Sequence, residues 1–271
     1  MPLTQLARCL REPRRTDEPA ASRAELERRV ELLRRAAFEE LPEPLPCTAT
    51  SLGRLDDADA LAGEHFDILR AKLEAAYEQG ARLLGVVSTT AGEGRTTIAL
   101  GLALALARLP GRRVLLLEAD LRRPSLERAL GLRRRVGLND WLGGLPGPLR
   151  LRRVEPGGLC LITAGTPAAG SPAAALESDR IGTLFAVLPH LFDWVIVDCP
   201  PAAHFADDLI LQHLMDGLLL VVRSRVAERS RLRAFVRDFR ADAVLGVVYN
   251  DHRDRLRRSP AADRRYRRDR S

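Results

Sequence analysis

Lysine is almost absent from this chain. Of 43 basic residues, only Lys72 is a lysine, and the other 42 are arginine. Any chemistry that needs an ammonium side chain must use Lys72 or do without. Aromatic residues make up 4% of the sequence, so a core has to be built from Leu, Val, Ile and Ala. Cysteine is scarce too. Cys9, Cys47, Cys160 and Cys199 form no CxxC pair and no paired Cys/His pattern. That argues against a zinc site or a disulfide framework and fits a reducing compartment. Long apolar runs are missing: stretches such as Ile98 to Ala107 are too short to cross a bilayer. Arg8, Arg11, Arg14 and Arg15 interrupt the stretch where the apolar core of a signal peptide would stand. The expectation is a cytoplasmic protein.

What is present is a globular composition. The chain has 271 residues, 46% apolar and 29% charged, enough for one large domain or two small ones. Its net charge of +7 is concentrated at one end, because residues 252–271 hold nine Arg and three Asp. A basic tail of this kind can bind acidic lipid, nucleic acid or an acidic partner. The reading preferred here for residues 251–271 is a solvated, disordered terminus.

Three regions emerge from patterning. Residues 1–53 read as a disordered segment, an amphipathic helix and a linker. Ser22 and Glu25 offer a capping box, and Leu26, Val30, Leu33, Ala37 and Leu41 then recur at helical spacing. Three prolines between Leu41 and Pro46 end that helix. Residues 54–250 read as one domain. A helix is predicted from Ala60 to Tyr77 and another from Arg95 to Leu109. Short apolar runs at Leu83–Ser88, Val114–Leu117, Leu159–Thr163, Trp194–Val197, Leu218–Val222 and Val244–Tyr249 read as buried strands. Strands alternating with helices give an α/β fold with a doubly wound, mostly parallel sheet. Ligands on such sheets bind at the carboxyl ends of the strands, which directs attention to the residues just after Ser88, Leu117 and Val197.

Chemistry-bearing residues stand at all three places. Thr89 to Thr97 (TTAGEGRTT) continues the first apolar run and opens a helix. Gly92 and Gly94 let backbone N–H groups curl around phosphate oxygens, the helix start adds positive charge, and the Thr96 hydroxyl suits Mg²⁺. The strict phosphate-loop pattern GxxxxGK[ST] is broken twice, by Thr89 at the first glycine and by Arg95 at the lysine. Glu118 and Asp120 come after the second run, two carboxylates that can face one cation; Asp120 could equally cap a helix. Asp198 ends the third run, and a carboxylate there needs a metal or hydrogen bonds.

Together these segments carry a resemblance. From about Asp57 to Asn250 the chain resembles the bacterial tyrosine autokinases of capsule and exopolysaccharide export, in the ParA/MinD-like branch of P-loop ATPases. The carrying segments are Glu64–Arg70, Ala91–Thr97, Leu116–Pro124, Gly137–Leu142, Phe192–Pro201, Asp216–Val222 and Leu245–Asn250. The resemblance implies a P-loop NTPase type of fold and a cytoplasmic domain that binds ATP with Mg²⁺. It implies recruitment to the inner face of the membrane by a polysaccharide co-polymerase (chain-length determinant protein), and a homo-oligomer. It places Gly92, Glu93, Gly94, Arg95, Thr96, Thr97 and Asn250 at the nucleotide, with Asn250 near adenine. It places Thr96, Asp120 and Asp198 at the metal, and Arg95, Glu118 and Asp120 at the transfer of phosphate to a tyrosine hydroxyl. A small hydroxyl residue such as Thr89 is common in the family at the first loop position.

Four departures from the family pattern qualify this. Arg95 replaces the loop lysine, and Glu118 replaces an aspartate. The helix pattern ExxRxxR, which supports ring assembly, becomes ExxDxxR from Glu64 to Arg70. Tyr266 is the one tyrosine after residue 250, where the family has a cluster of acceptors. Three readings stay open: an ATP-binding member of the autokinase family, a non-catalytic relative serving as scaffold of an export complex, and a ParA/MinD-like positioning ATPase. Such positioning ATPases usually carry an additional, earlier loop lysine, absent here, and the sequence argues against a nucleic-acid partner.

Overall fold

The structure, a computed structural model, describes residues 38–42, 45–46, 60–155, 157–167, 170–202, 207–224, 226–239 and 243–250. Among these, nine strands form one sheet: β1 (Phe38–Glu40), β2 (Leu45–Pro46), β3 (Leu83–Ser88), β4 (Val114–Glu118), β5 (Leu149–Glu155), β6 (Leu159–Ile162), β7 (Trp194–Pro201), β8 (Gly217–Arg223) and β9 (Val244–Asn250). Their spatial order is β1-β5-β6-β4-β7-β3-β8-β9, with β2 also beside β5. The run β6-β4-β7-β3-β8-β9 is parallel throughout. β5 runs antiparallel to its neighbour β6, and β1 and β2 run parallel to β5. The expected doubly wound α/β sheet is what the chain forms.

The helices are α1 (Ala60–Glu78), α2 (Arg95–Ala107), α3 (Leu126–Ala129), α4 (Leu138–Leu142), α5 (Pro172–Leu176), α6 (Asp179–Leu191), α7 (Asp207–Gln212) and α8 (Arg229–Asp238). They cover both faces because the central strands are apolar at nearly every position. Alternate residues of a strand point to opposite faces, and here each face has its own core. Leu115, Leu117, Val195, Val197, Leu218 and Leu220 join the helices α4, α6 and α8 on one side. Val114, Leu116, Trp194, Ile196, Leu219 and Val221 join α1, α2 and α3 on the other. The same alternation places Ser88, Glu118 and Asp198 on the α2 side. Ser88 and Asp198 are thereby turned toward the start of α2, and Glu118 toward the start of α3.

α2 is apolar on all sides, with Ile98 through Ala107 buried, as a helix sandwiched between a sheet and another helix must be. Gly101 makes that sandwich close: a Cβ there would fall 2.1 Å from the Phe66 ring of α1. No described helix is long and apolar enough to cross a membrane.

Two expectations need correction. The helix predicted to reach Leu41 does not: Phe38–Glu40 is a strand, parallel to β5, and Leu45–Pro46 inside the expected linker pairs with β5 as well. The spacing of Ala37 and Leu41 suggests a helical stripe. What decides is Phe38, which is buried with its ring edge-on to Phe192 at a centroid distance of 6.4 Å. Glu39 and Glu40 face Arg150 and Arg153 across the strand pair. β5 itself is absent from the predicted strands, although Leu149, Leu151 and Val154 are buried between less buried arginines. The capping box, the rest of the amphipathic stripe, Cys9, Cys47 and Tyr266 lie outside the described residues.

Candidate functional site

The loop between β3 and α2 is held from inside. Glu93 is fully buried, and its carboxylate accepts hydrogen bonds from Thr89 Oγ1 (3.1 Å), the Thr90 amide (2.8 Å) and the Arg223 amide (3.3 Å). Its side chain therefore shapes the loop from within. Asn250, ending β9, donates from Nδ2 to the Glu93 carbonyl at 2.8 Å. Gly94 then enters α2 in the left-handed region, with φ +94°. A Cβ there would sit 2.2 Å from Asn250 Nδ2, so glycine is required by both backbone and space. The first intrahelical bond of α2 runs from the Ile98 amide to the Gly94 carbonyl. The amides of Arg95, Thr96 and Thr97 are thus left outside the helical ladder, a favourable place for an anion.

Six side chains meet where the loop enters α2. Arg95 donates from Nη1 to Ser88 Oγ and from Nη2 to Asp120 Oδ2, both at 3.2 Å, and its Nε lies 3.9 Å from Asp198 Oδ1. Thr96 donates to Asp198 Oδ2 at 2.7 Å and shares a 2.9 Å hydrogen bond with Ser125 Oγ. Asp198 is completely buried, and burial pushes its carboxyl up to about 7, against the opposing pull of Arg95 and Thr96. Its Oδ1 has no hydrogen-bond partner, and a buried oxygen in that state is suited to a cation. Asp120 is also raised by burial, despite the Arg123 amide and Arg95.

A cavity of about 520 Å³ opens over these groups. It is lined by Ser88, the loop from Ala91 to Thr96, Asp120, Arg123, Ser125, Arg128, Ala129 and Pro201. Of the residues expected at the nucleotide, Gly92, Glu93, Gly94, Arg95 and Thr96 line it. Thr97 is exposed and is not among its walls. Asn250 supports the loop from behind. Of those expected at the metal, Asp120 and Thr96 line the cavity and Asp198 lies directly behind Thr96.

Glu118 is placed differently. Its Oε1 accepts from the amides of Ser125 and Leu126, and its Oε2 from the amide of Ala164. Burial raises its carboxyl against these three donors. The side chain joins the end of β4 to the start of α3 and to the segment after β6, and it is not among the cavity walls. Sequence reasoning gave no role to Arg123, Ser125 or Arg128. The signal for them was position: all three stand within ten residues of the carboxyl end of β4.

The donor set can hold Mg²⁺ on a nucleotide. No group of three or more His, Cys, Asp or Glu that could hold a metal alone occurs among the described residues. Mg²⁺ on a nucleotide needs less, one or two protein oxygens with phosphates and waters completing the shell. Thr96 Oγ1 and the unpartnered Asp198 Oδ1 supply them.

Fold and site define an α/β nucleotide-binding domain, and comparison with known proteins agrees. The family model for the CobQ/CobB/MinD/ParA nucleotide binding domain matches residues 84–264. The chain belongs to this family, and within it to the branch that holds the bacterial tyrosine-protein kinases. It is 31% identical to the tyrosine-protein kinase YwqD of Bacillus subtilis over 181 residues, 65% of this chain and 75% of that one. It is 29% identical over 199 residues to the tyrosine-protein kinase ptk of Acinetobacter johnsonii, covering 72% of this chain but 27% of that longer protein. Among solved structures, the VpsO kinase domain superimposes with a TM-score of 0.63 at 27% identity, covering 71% of this chain and 96% of that one.

Within α1, Asp67 pairs with Arg70 at 3.5 Å. The acid that interrupts the family's ring-assembly pattern thus turns toward the arginine on its own helix.

Proposed function

We propose that the cavity binds ATP with Mg²⁺ and that the chain serves, at the inner face of the membrane, as an ATP-dependent component of exopolysaccharide or capsule export. The observation that carries this is the convergence of the Gly92–Arg95 loop, the Thr96–Asp198 pair and Asp120 on one cavity at the carboxyl ends of β3, β4 and β7. The open amides at the start of α2, with Arg123 and Arg128 in the cavity wall, receive phosphate oxygens. Thr96 and Asp198 hold the cation, with Asp120 beside them. Mg²⁺ there would offset phosphate charge and fix the γ-phosphoryl group. Membrane recruitment by a chain-length determinant protein and assembly into a homo-oligomer belong to the same reading and come from the family resemblance. Calorimetric titration with Mg-ATP and Mg-ADP tests it: saturable binding supports the reading, and its absence removes it.

A second reading, a nucleotide-binding relative without phosphotransfer, is favoured by one specific observation. Both oxygens of Glu118, the residue expected near the accepting tyrosine hydroxyl, are taken by backbone amides. Mass spectrometry after incubation with Mg-ATP separates the two: phosphotyrosine on the chain supports the kinase, and an unmodified chain that binds nucleotide supports the scaffold.

A further inference from the structure

Ser125 stands where a serine ordinarily caps a helix. It is the N-cap residue of α3, yet its hydroxyl makes no capping bond. A serine in that place usually turns its oxygen back onto an amide of the first turn. The acceptor at this helix start is Glu118 instead, whose Oε1 takes the amides of Ser125 and Leu126. The serine hydroxyl is thereby released from its own helix. Ser125 lines the cavity, and its Oγ meets Thr96 Oγ1 at 2.9 Å.

The direction of that bond follows from counting protons. Thr96 has one hydroxyl proton and gives it to Asp198 Oδ2 at 2.7 Å. With Asp198 ionised, as a carboxylate on a cation is, Ser125 must be the donor in the 2.9 Å pair. A hydroxyl oxygen has two lone pairs. Ser125 fills one of those on Thr96, and the other is left for the cation. Thr96 is thus fixed from two sides, by an acceptor at its proton and a donor at its oxygen. Partners of this kind orient a metal ligand and set the affinity for the metal.

We infer that Ser125 is a positioning residue of the cation site: held at the start of α3 by Glu118, it orients Thr96 Oγ1 toward Mg²⁺ on a bound nucleotide. This rests on the reading of the cavity as a site for a nucleotide with Mg²⁺. It also gives Glu118 a part in the site at a distance, because that carboxylate fixes the backbone from which the serine reaches Thr96.

The test follows binding of a fluorescent ADP analogue to the whole chain as Mg²⁺ is titrated into EDTA-treated protein. The unaltered protein is expected to bind more tightly as Mg²⁺ rises, with a defined midpoint. Ser125→Ala should move that midpoint upward by about tenfold. Ser125→Thr, which keeps a hydroxyl, should return it to within about threefold of the unaltered protein. A circular-dichroism melt confirms that both variants are folded. An unchanged midpoint in Ser125→Ala, or an equal shift in both variants, overturns the inference. So does a loss of affinity that is the same at every Mg²⁺ concentration, which is what a merely structural serine would give. Binding by the unaltered protein that ignores Mg²⁺ overturns the inference and leaves the nucleotide site standing. Absence of saturable binding at any Mg²⁺ concentration overturns the nucleotide reading and this inference with it.

Discussion

Replacing Gly94 with alanine probes how the loop is held. Two costs arise, and they can be separated. The left-handed backbone, with φ +94°, costs an alanine about 1–2 kcal/mol. The new Cβ would also lie 2.2 Å from Asn250 Nδ2, so Asn250 must withdraw and lose its 2.8 Å bond to the Glu93 carbonyl. A hydrogen bond of this kind contributes about 0.5–1.5 kcal/mol. The sum for Gly94→Ala is about 2–3 kcal/mol, or roughly 5–10 °C in Tm for a domain of this size. Asn250→Ala alone should cost about 1 kcal/mol. The bond can be lost only once, so the double variant should be less destabilised than the two singles added together, by about 1 kcal/mol. Urea unfolding of all four proteins completes the cycle. Additivity within about 0.3–0.5 kcal/mol would show that a side chain at 94 never meets Asn250 and would refute the reasoning.

Three further outcomes are expected. Asp198, with its carboxyl raised to about 7 by burial, makes a contribution to stability that is complete below its unfolded value and lost as pH rises through 7. In metal-free buffer Asp198→Asn should therefore remove about 2–3 kcal/mol of the decline between pH 5 and pH 8, and parallel denaturation profiles for the two proteins would contradict this. Glu118→Ala strands three backbone amides and should cost about 3–5 kcal/mol, while Glu118→Gln, which keeps an acceptor, should cost about half as much; equal midpoints in urea would show that the amides do not depend on this carboxylate. Phe38→Ala should cost about 3 kcal/mol by emptying the place against Phe192, and a change below about 0.5 kcal/mol in the same assay would mean that β1 contributes nothing to the sheet.

The legible part of the fold was the part governed by strand periodicity. Continuous apolar runs located β3, β4, β6, β7, β8 and β9, and their order placed the polar ends where a ligand belongs. Asp198 and Thr96 could be paired in advance because a buried carboxylate and a loop hydroxyl both point to a cation. Glu118 shows where such reading stops. From sequence it is one of two acids after a strand. Its actual partners, the amides of Ser125, Leu126 and Ala164, are fixed by α3 and by the segment after β6, which no local pattern reveals. Glu93 is a similar case: the resemblance puts it at the nucleotide, yet its buried carboxylate is taken by Thr89, Thr90 and the distant Arg223. β5 was obscured by composition, since arginine fills its less buried positions and dilutes the apolar signal. Phe38 was obscured by its neighbours, whose spacing fits a helix as readily as a strand.

The bond from Asn250 to the Glu93 carbonyl spans 157 residues of sequence, and this gives the loop a place in time as well as in space. A chain made from its amino end exposes Ser88, Asp120, Ser125 and Asp198 long before β9 leaves the ribosome. Until then the loop lacks its support from Asn250. Any small molecule that favours the finished loop adds its binding energy to completed chains alone. Such a ligand would stabilise the domain only once β9 has joined the edge of the sheet and Asn250 has reached the Glu93 carbonyl.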